Sequence, residues 1–309
     1  MAAPADPVAA NAALMRRATY ASAAVALLLI LLKAGAWLIT DSVSLLTTLV
    51  DSLTDFGASA LNLIAVRQAL QPPDQQYRFG YGKAEPLAGL GQAAFVAGSA
   101  LFLVVESVRR LITPQPVGQE SVGIAVMLIA MALTYALVRY QRRVIARTGS
   151  LAIGADALHY QGDFFVHGGV ILALLANLWF DLPWLDPLFA LAVAGYILVT
   201  ARGIAAASLG ALMDRELPEA DRERIRAIAR AHPEVIDVHD LRTRSAGLQV
   251  FIQFHLTLPN TLSLLRAHEI ADAIESEVRA AFPGSGVIVH QDPEGVVEGW
   301  ATQGVRRFH

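Results

Sequence analysis

The chain has 309 residues, of which 55% are hydrophobic and 17% charged, and a formal net charge of −3. Soluble domains are about 45–50% apolar and about 25% charged, so the composition excludes a disordered chain and an ordinary soluble enzyme, and without a basic field nucleic acid is excluded as a partner. No cysteine is present, which excludes disulfides, thiolate metal sites and cysteine nucleophiles and leaves His, Asp, Glu and backbone oxygen as metal ligands.

Charge is unevenly spread, with 25 charged residues in positions 1–211 and 26 in the 98 that follow. The first part reads as membrane and the second as a soluble, slightly acidic domain. Residues 1–17 are expected to form an N-terminal cytoplasmic segment. The apolar run after them is too long for a signal-peptide core and reads as a retained helix. Apolar stretches near the roughly 20 residues that a bilayer core requires follow at about 18–40, 42–66, 84–111, 119–141, 150–179 and 184–209. That predicts a six-helix transmembrane domain over 18–211. Arg16 and Arg17, then Arg67, Arg78 and Lys83, then Arg139, Arg142, Arg143 and Arg147, then Arg202 and Arg215 fall at every second boundary. By the positive-inside rule those boundaries, and both termini, are cytoplasmic. The opposite connections hold Asp41, Glu120, Asp181 and Asp186, with Arg109 and Arg110 the only contrary pair. Lys33, inside the first span, is expected to snorkel or to pair with a carboxylate.

After Met213 the pattern becomes an amphipathic helix at 218–231, β-rich runs at 235–243 and 248–258, a long helix at 262–282 and a last strand at 287–290. The order αββαβ predicts a small α+β domain, its helices on one face of a three-stranded sheet, over 212–293. Residues 294–309 lack periodicity and are expected to be a mobile tail.

Asp51 and Asp55 stand four apart in the second span, so both carboxylates share one helical face; His159 and Asp163 repeat the spacing in the fifth. At about 1.5 Å of rise per residue, the pairs lie roughly 13–20 Å and 16–22 Å from opposite surfaces, meeting at mid-bilayer. One carboxylate there costs at least ~2.5–3.5 kcal/mol, so three demand a cation, protons or a wet cavity. Three carboxylates and an imidazole are the four ligands tetrahedral zinc prefers, and the mixed N/O set tolerates iron, cobalt or cadmium. Such a cluster cannot stay fully ionised in a low dielectric, so the metal-free site holds protons that a divalent ion displaces. Exchange of metal for protons on one site is the minimum physics of a proton-coupled antiporter. Asp156 and His167 flank the fifth-span pair; Asp156 is expected at most to line an entry path, and His167 to make a satisfied polar contact.

In the soluble domain a hairpin centred near Gly247 places His239 opposite His255. His290 and Asp292 share a face by period two, and His268 sits on the long helix. Four imidazoles and a carboxylate can bind two metals with Asp292 bridging. His232, beside Pro233 at a helix end, is expected to cap or to stay solvated.

The runs Ser42-Val43-Ser44-Leu45-Leu46, Asp51-Ser52-Leu53-Thr54-Asp55, Phe79-Gly80-Tyr81-Gly82-Lys83-Ala84-Glu85 and Leu158-His159-Tyr160-Gln161-Gly162-Asp163 closely resemble the cation diffusion facilitator family, in its bacterial ferrous-iron and zinc efflux branch. The likeness extends from about residue 15 to 293. It implies a homodimeric six-helix metal/proton antiporter of the inner membrane with a cytoplasmic ferredoxin-like domain. Its transport site maps onto Asp51, Asp55, His159 and Asp163, accepting zinc, cadmium and ferrous iron. His239-Asp240-Leu241-Arg242-Thr243-Arg244 and Val289-His290-Gln291-Asp292-Pro293 match the family's binuclear cytoplasmic site, implying zinc on His239, His255, His268, His290 and Asp292. A further family site, one Asp with two His, meets Asp74 with Tyr77 and Tyr81 here; phenols of pKa near 10 are poor zinc ligands, so that site is expected to be absent or very weak. Lys83 resembles a family lysine that pairs with an aspartate, here Asp214, to lock the protomers. The alternatives are a membrane metalloenzyme or a metal sensor without transport. The enzyme would need a motif such as HExxH, but the one His-Glu pair, His268-Glu269, has Asp272 at the second histidine's position. A sensor would not need carboxylates at mid-depth.

Overall fold

The computed structural model describes residues 7–40, 43–113, 121–180 and 184–295. The expected connections at Asp41, Glu120 and Asp181, and the tail beyond Gly295, lie outside them. The chain divides into two compact units that meet between Met213 and Asp214.

The first unit is built from long helices: α1 (Pro7–Thr40), α2 (Val43–Ala69), α3 (Ala84–Ile112), α4 (Ser121–Thr148), α5 (Leu151–Phe180) and α6 (Leu185–Leu212). Among the described residues, segments of α1, α3, α4 and α6 are long and apolar enough to cross a membrane. Helix α1 begins eleven residues before the expected start of the first span. The Ala-rich run after Pro7 favours helix, and proline suits a first helical position. Arg16 and Arg17 therefore stand within the helix.

Small residues let the helices approach. A Cβ on Gly169 of α5 would lie 2.2 Å from the Phe189 ring of α6, and one on Gly162 would lie 2.9 Å from Ile197 Cδ1. Glycines seven apart keep the α5–α6 seam closed, as small residues do between membrane helices.

The second unit comprises α7 (Glu219–Arg230), β1 (Asp237–Ala246), β2 (Gln249–Leu258), α8 (Leu264–Ala281) and β3 (Gly286–Pro293). The sheet order is β1-β2-β3, antiparallel between β1 and β2 and parallel between β2 and β3. Ile252, Phe254, Leu256 and Leu258 of β2 alternate into a core closed by Ile225 and Ala229 of α7 and by Ile270, Ile274 and Val278 of α8. Both helices thus cover one face of the sheet. Ser263 caps α8, its hydroxyl accepting from the Arg266 backbone N–H at 3.2 Å, a contact typically worth about 1 kcal/mol.

The hairpin register depends on a bulge. Pairs from Arg242↔Gln253 to Ala246↔Gln249 are symmetric about the point between Gly247 and Leu248, whereas His239↔His255 is symmetric about Gly247. One extra residue on β1 shifts the ladder between His239 and Arg242, and Asp240 takes a φ of 45° there. Val238 and Leu241, three apart, consequently both face the core.

Candidate metal centres

In the first unit α2 and α5 bring Asp55, His159 and Asp163 together, with one ligand atom from each lying within 4.8 Å of the others. His159 Nε2 stands 2.8 Å from Asp55 Oδ1 and 3.7 Å from Asp163 Oδ2. Asp51, the fourth expected ligand, stands apart from these three. It lines the same cavity of about 640 Å³ but is outside the group.

The cavity wall runs from Thr48 to Asp55 on α2 and from His159 to His167 on α5. It therefore extends from the trio toward the N-terminal end of α2 and the C-terminal half of α5. Lys33 also lines it and is only 6% exposed. Rather than snorkelling or gripping a carboxylate, Lys33 Nζ donates to Thr48 O at 3.1 Å and to Ser52 Oγ at 2.7 Å, tying α1 to α2. His167 is not the satisfied contact expected: it lines the cavity, and its Nδ1 is buried without a hydrogen-bond partner among the described residues.

One turn along α5 on the other side of the trio, Asp156 is fully buried and lines no path. Ser22 Oγ and Gln141 Nε2 each donate to its Oδ2 at 2.6 Å, while Gln92 Nε2 and Ser59 Oγ donate to its Oδ1 at 3.0 and 3.3 Å. Ser59 Oγ also lies 2.9 Å from Tyr160 Oη. Helices α1 to α5 each contribute to this knot, which closes the bundle beneath the cavity. Sequence reasoning missed Ser22, Ser59, Gln92 and Gln141. The available signal was a polar side chain in each apolar helix, but their convergence on one carboxylate requires the packing.

In the loop between α2 and α3, Tyr81 Oη donates to Asp74 Oδ2 at 2.5 Å, and the backbone N–H groups of Gln76 and Tyr77 donate to Oδ1 at 2.8 and 2.7 Å. The Tyr81 hydroxyl is the main cause holding Asp74 below the usual carboxylate range, and the same bond pushes Tyr81 up to about 12. Lys83 Nζ donates to the last carbonyls of α6, Ala211 O at 3.1 Å and Leu212 O at 2.9 Å, as cations do at helix C-termini. Asp214 faces Arg244 Nη1 at 3.4 Å.

In the second unit His239, His255 and His290 form a row across all three strands through the pairs His239↔His255 and His255↔His290. Neighbouring ring centroids are 5.3 and 4.6 Å apart. Asp292, inside β3 rather than beyond it, lies beneath the row with its side chain 8% exposed. Its Oδ2 is 3.2 Å from His239 Nε2 and 2.8 Å from His255 Nδ1, and its Oδ1 is 3.0 Å from His290 Nε2. Three imidazoles around one buried carboxylate suit a borderline-soft divalent ion. His268 lies apart from this row: it sits on α8, 63% exposed and 3.4 Å from Asp272. The helices cover the opposite sheet face, so His268 cannot reach the row of its own chain. His232 Nδ1 accepts from the Glu234 backbone N–H at 3.3 Å, the expected local cap.

The family model described as the cation efflux transmembrane domain matches residues 19–213, and the one described as the cation efflux protein, cytoplasmic domain, matches residues 217–294. The chain is 46% identical to the cation-efflux pump FieF of Escherichia fergusonii over 284 residues, covering 92% of this chain and 94% of that protein. The FieF of Klebsiella pneumoniae gives the same identity and coverage. A solved structure of CzrB in a zinc form is 37% identical, with a TM-score of 0.25, and matches 28% of this chain and 98% of its own.

Proposed function

The chain belongs to the cation efflux family, so it is a multi-pass membrane transporter of cations and not an enzyme, and from that premise we propose a proton-coupled antiporter that exports divalent metal. Zinc is the first substrate, with ferrous iron and cadmium alongside, and export runs from the cytoplasm across the bacterial inner membrane. The observation that carries this reading is the Asp55, His159 and Asp163 group at the floor of the cavity. An imidazole and two carboxylates within bonding reach, inside an apolar bundle, can replace the hydration shell of a divalent ion. Asp51, on the wall one turn toward the mouth, completes the set of four.

When metal leaves, these carboxylates cannot all remain ionised in the low dielectric, and protons take its place. Alternating access then follows from which end of the bundle is open. In the described state the cavity extends on one side of the trio while the Asp156 knot closes the other. Six spans with both termini cytoplasmic make the closed side the cytoplasmic one. That knot must part for metal to enter from the cytoplasm.

The second unit, which we assign a ferredoxin-like arrangement, is the cytoplasmic domain spanning 212–293. His239, His255, His290 and Asp292 would hold zinc there, linking strand geometry to cytoplasmic metal. The match to the cytoplasmic domain of the family supports a homodimer joined through this domain, and His268, facing away from its own row, would reach such a site only from the second copy.

Metal flux into proteoliposomes under an imposed pH gradient tests the proposal. Saturable zinc flux that dissipates the gradient and disappears in Asp163→Ala, with the variant still monodisperse, supports it. Tight zinc binding without flux would sink it in favour of a sensor.

A further inference from the structure

A groove of about 550 Å³ runs between α4 and α5, distinct from the metal cavity, with arginines at one end and aromatic rings at the other. Arg139, Arg142 and Arg143 stand at i, i+3 and i+4 on α4, so their guanidinium groups share one face. Helix α4 ends at Thr148, which puts these residues about 8–14 Å inside the helix end at ~1.5 Å per residue. Long basic side chains at that depth reach the headgroup level by snorkelling. Tyr135 lies one turn deeper on α4. Its ring centroid is 6.0 Å from that of Phe164 on α5, and Phe165 continues the apolar lining.

No carboxylate lines the groove, and among the described residues none of the three arginines is ion-paired. Arg142 Nη2 donates to Gln161 Oε1 at 2.7 Å, and Gln161 Nε2 donates to Tyr196 Oη at 2.7 Å, so one guanidinium is held at the rim. Three like charges within one turn repel each other unless an anion sits among them. A solvated charge run would satisfy that with water alone, but this run ends on an aromatic floor. An amphiphile with a negative head and an apolar tail complements both ends.

We propose that the α4–α5 groove binds an anionic glycerophospholipid of the leaflet at the α4 C-terminal end, its phosphate on Arg139, Arg142 and Arg143 and an acyl chain along Tyr135, Phe164 and Phe165. The site does not rest on the transport reading, because none of the residues lining this groove also lines the metal cavity.

The test is native mass spectrometry of the full-length protein in detergent, titrated with phosphatidylglycerol or phosphatidylcholine. Wild type should retain phosphatidylglycerol selectively. Basic residues near an anionic surface contribute about 1 kcal/mol each, so every arginine lost should weaken retention about fivefold, and R139Q/R142Q/R143Q about a hundredfold. R109Q/R110Q, which removes the arginines beside Glu106 on α3, should retain lipid as wild type does. Equal retention of phosphatidylcholine, or an equal loss in the α3 variant, would overturn the proposal. So would displacement of the lipid by millimolar inorganic phosphate, which would make this a soluble-phosphate site. If the triple variant does not fold, R139Q and R143Q singly decide, and unchanged retention in both counts against the groove.

Discussion

Asp163, Asp55 and Asp156 are all carboxylates of the same bundle, yet their surroundings give them different work. Asp55 and Asp163 each have His159 Nε2 as a neighbour and open onto the cavity. Removing one charge about 4 Å from a cation costs up to ~4 kcal/mol at an effective dielectric near 20, roughly a thousandfold in affinity. Asp55→Asn and Asp163→Asn should therefore abolish saturable zinc binding at the transport site while leaving the thermal unfolding midpoint near wild type. Asp156 is the reverse case, since every partner it has donates to it. Asp156→Asn turns an NH₂ toward those donors and should destabilise the bundle by about 1–3 kcal/mol, lowering the unfolding midpoint before it changes metal affinity. In the exposed loop the Tyr81 phenol, pushed up to about 12 by its bond to Asp74, keeps its proton as pH rises past 10. Asp74→Asn should return its titration, read as phenolate absorbance, toward pH 10. Zinc binding at this loop should be undetectable at neutral pH in both proteins.

The helices and strands were legible because their apolar periodicity is long and punctuated by residues such as Pro73 and Gly149. The i,i+4 pairs in α2 and α5 were legible because helical spacing alone puts each pair on one face. What the sequence did not carry was convergence across elements. The Asp156 knot draws one residue from each of four other helices, and His268 failed to join the imidazole row because helix and row lie on opposite sheet faces. The His239–His255 pairing came out as expected for a different reason, since the turn lies half a residue later and the bulge at Asp240 restores the match. Element packing also sets the tolerance at the α5–α6 seam. Gly169→Ala would push a methyl into the Phe189 ring, an overpacking cost of about 1–3 kcal/mol. It should lower the unfolding midpoint and slow flux, whereas Gly91→Ala, with open space at its Cβ, should do neither.

At the scale of the whole molecule, the proposed exchange of metal for protons fixes a direction that can be read without altering any residue. If metal and protons occupy the same carboxylates in turn, metal must move against the proton gradient whichever way that gradient points. In proteoliposomes with an acidic lumen and external zinc, protons leaving through the bundle should draw zinc inward. An alkaline lumen should suppress that uptake, and preloaded zinc should leave the vesicles instead. A protonophore should collapse both fluxes to the rate set by the zinc gradient alone. This follows from competition at the trio rather than from membrane potential, so clamping the potential with potassium and valinomycin should leave the sign of the pH effect unchanged. Zinc flux indifferent to the gradient under that clamp would mean that the carboxylates stay ionised when metal departs. Lys33, which lines the same cavity beside Asp51 and Asp55, would then be the cation left to balance them.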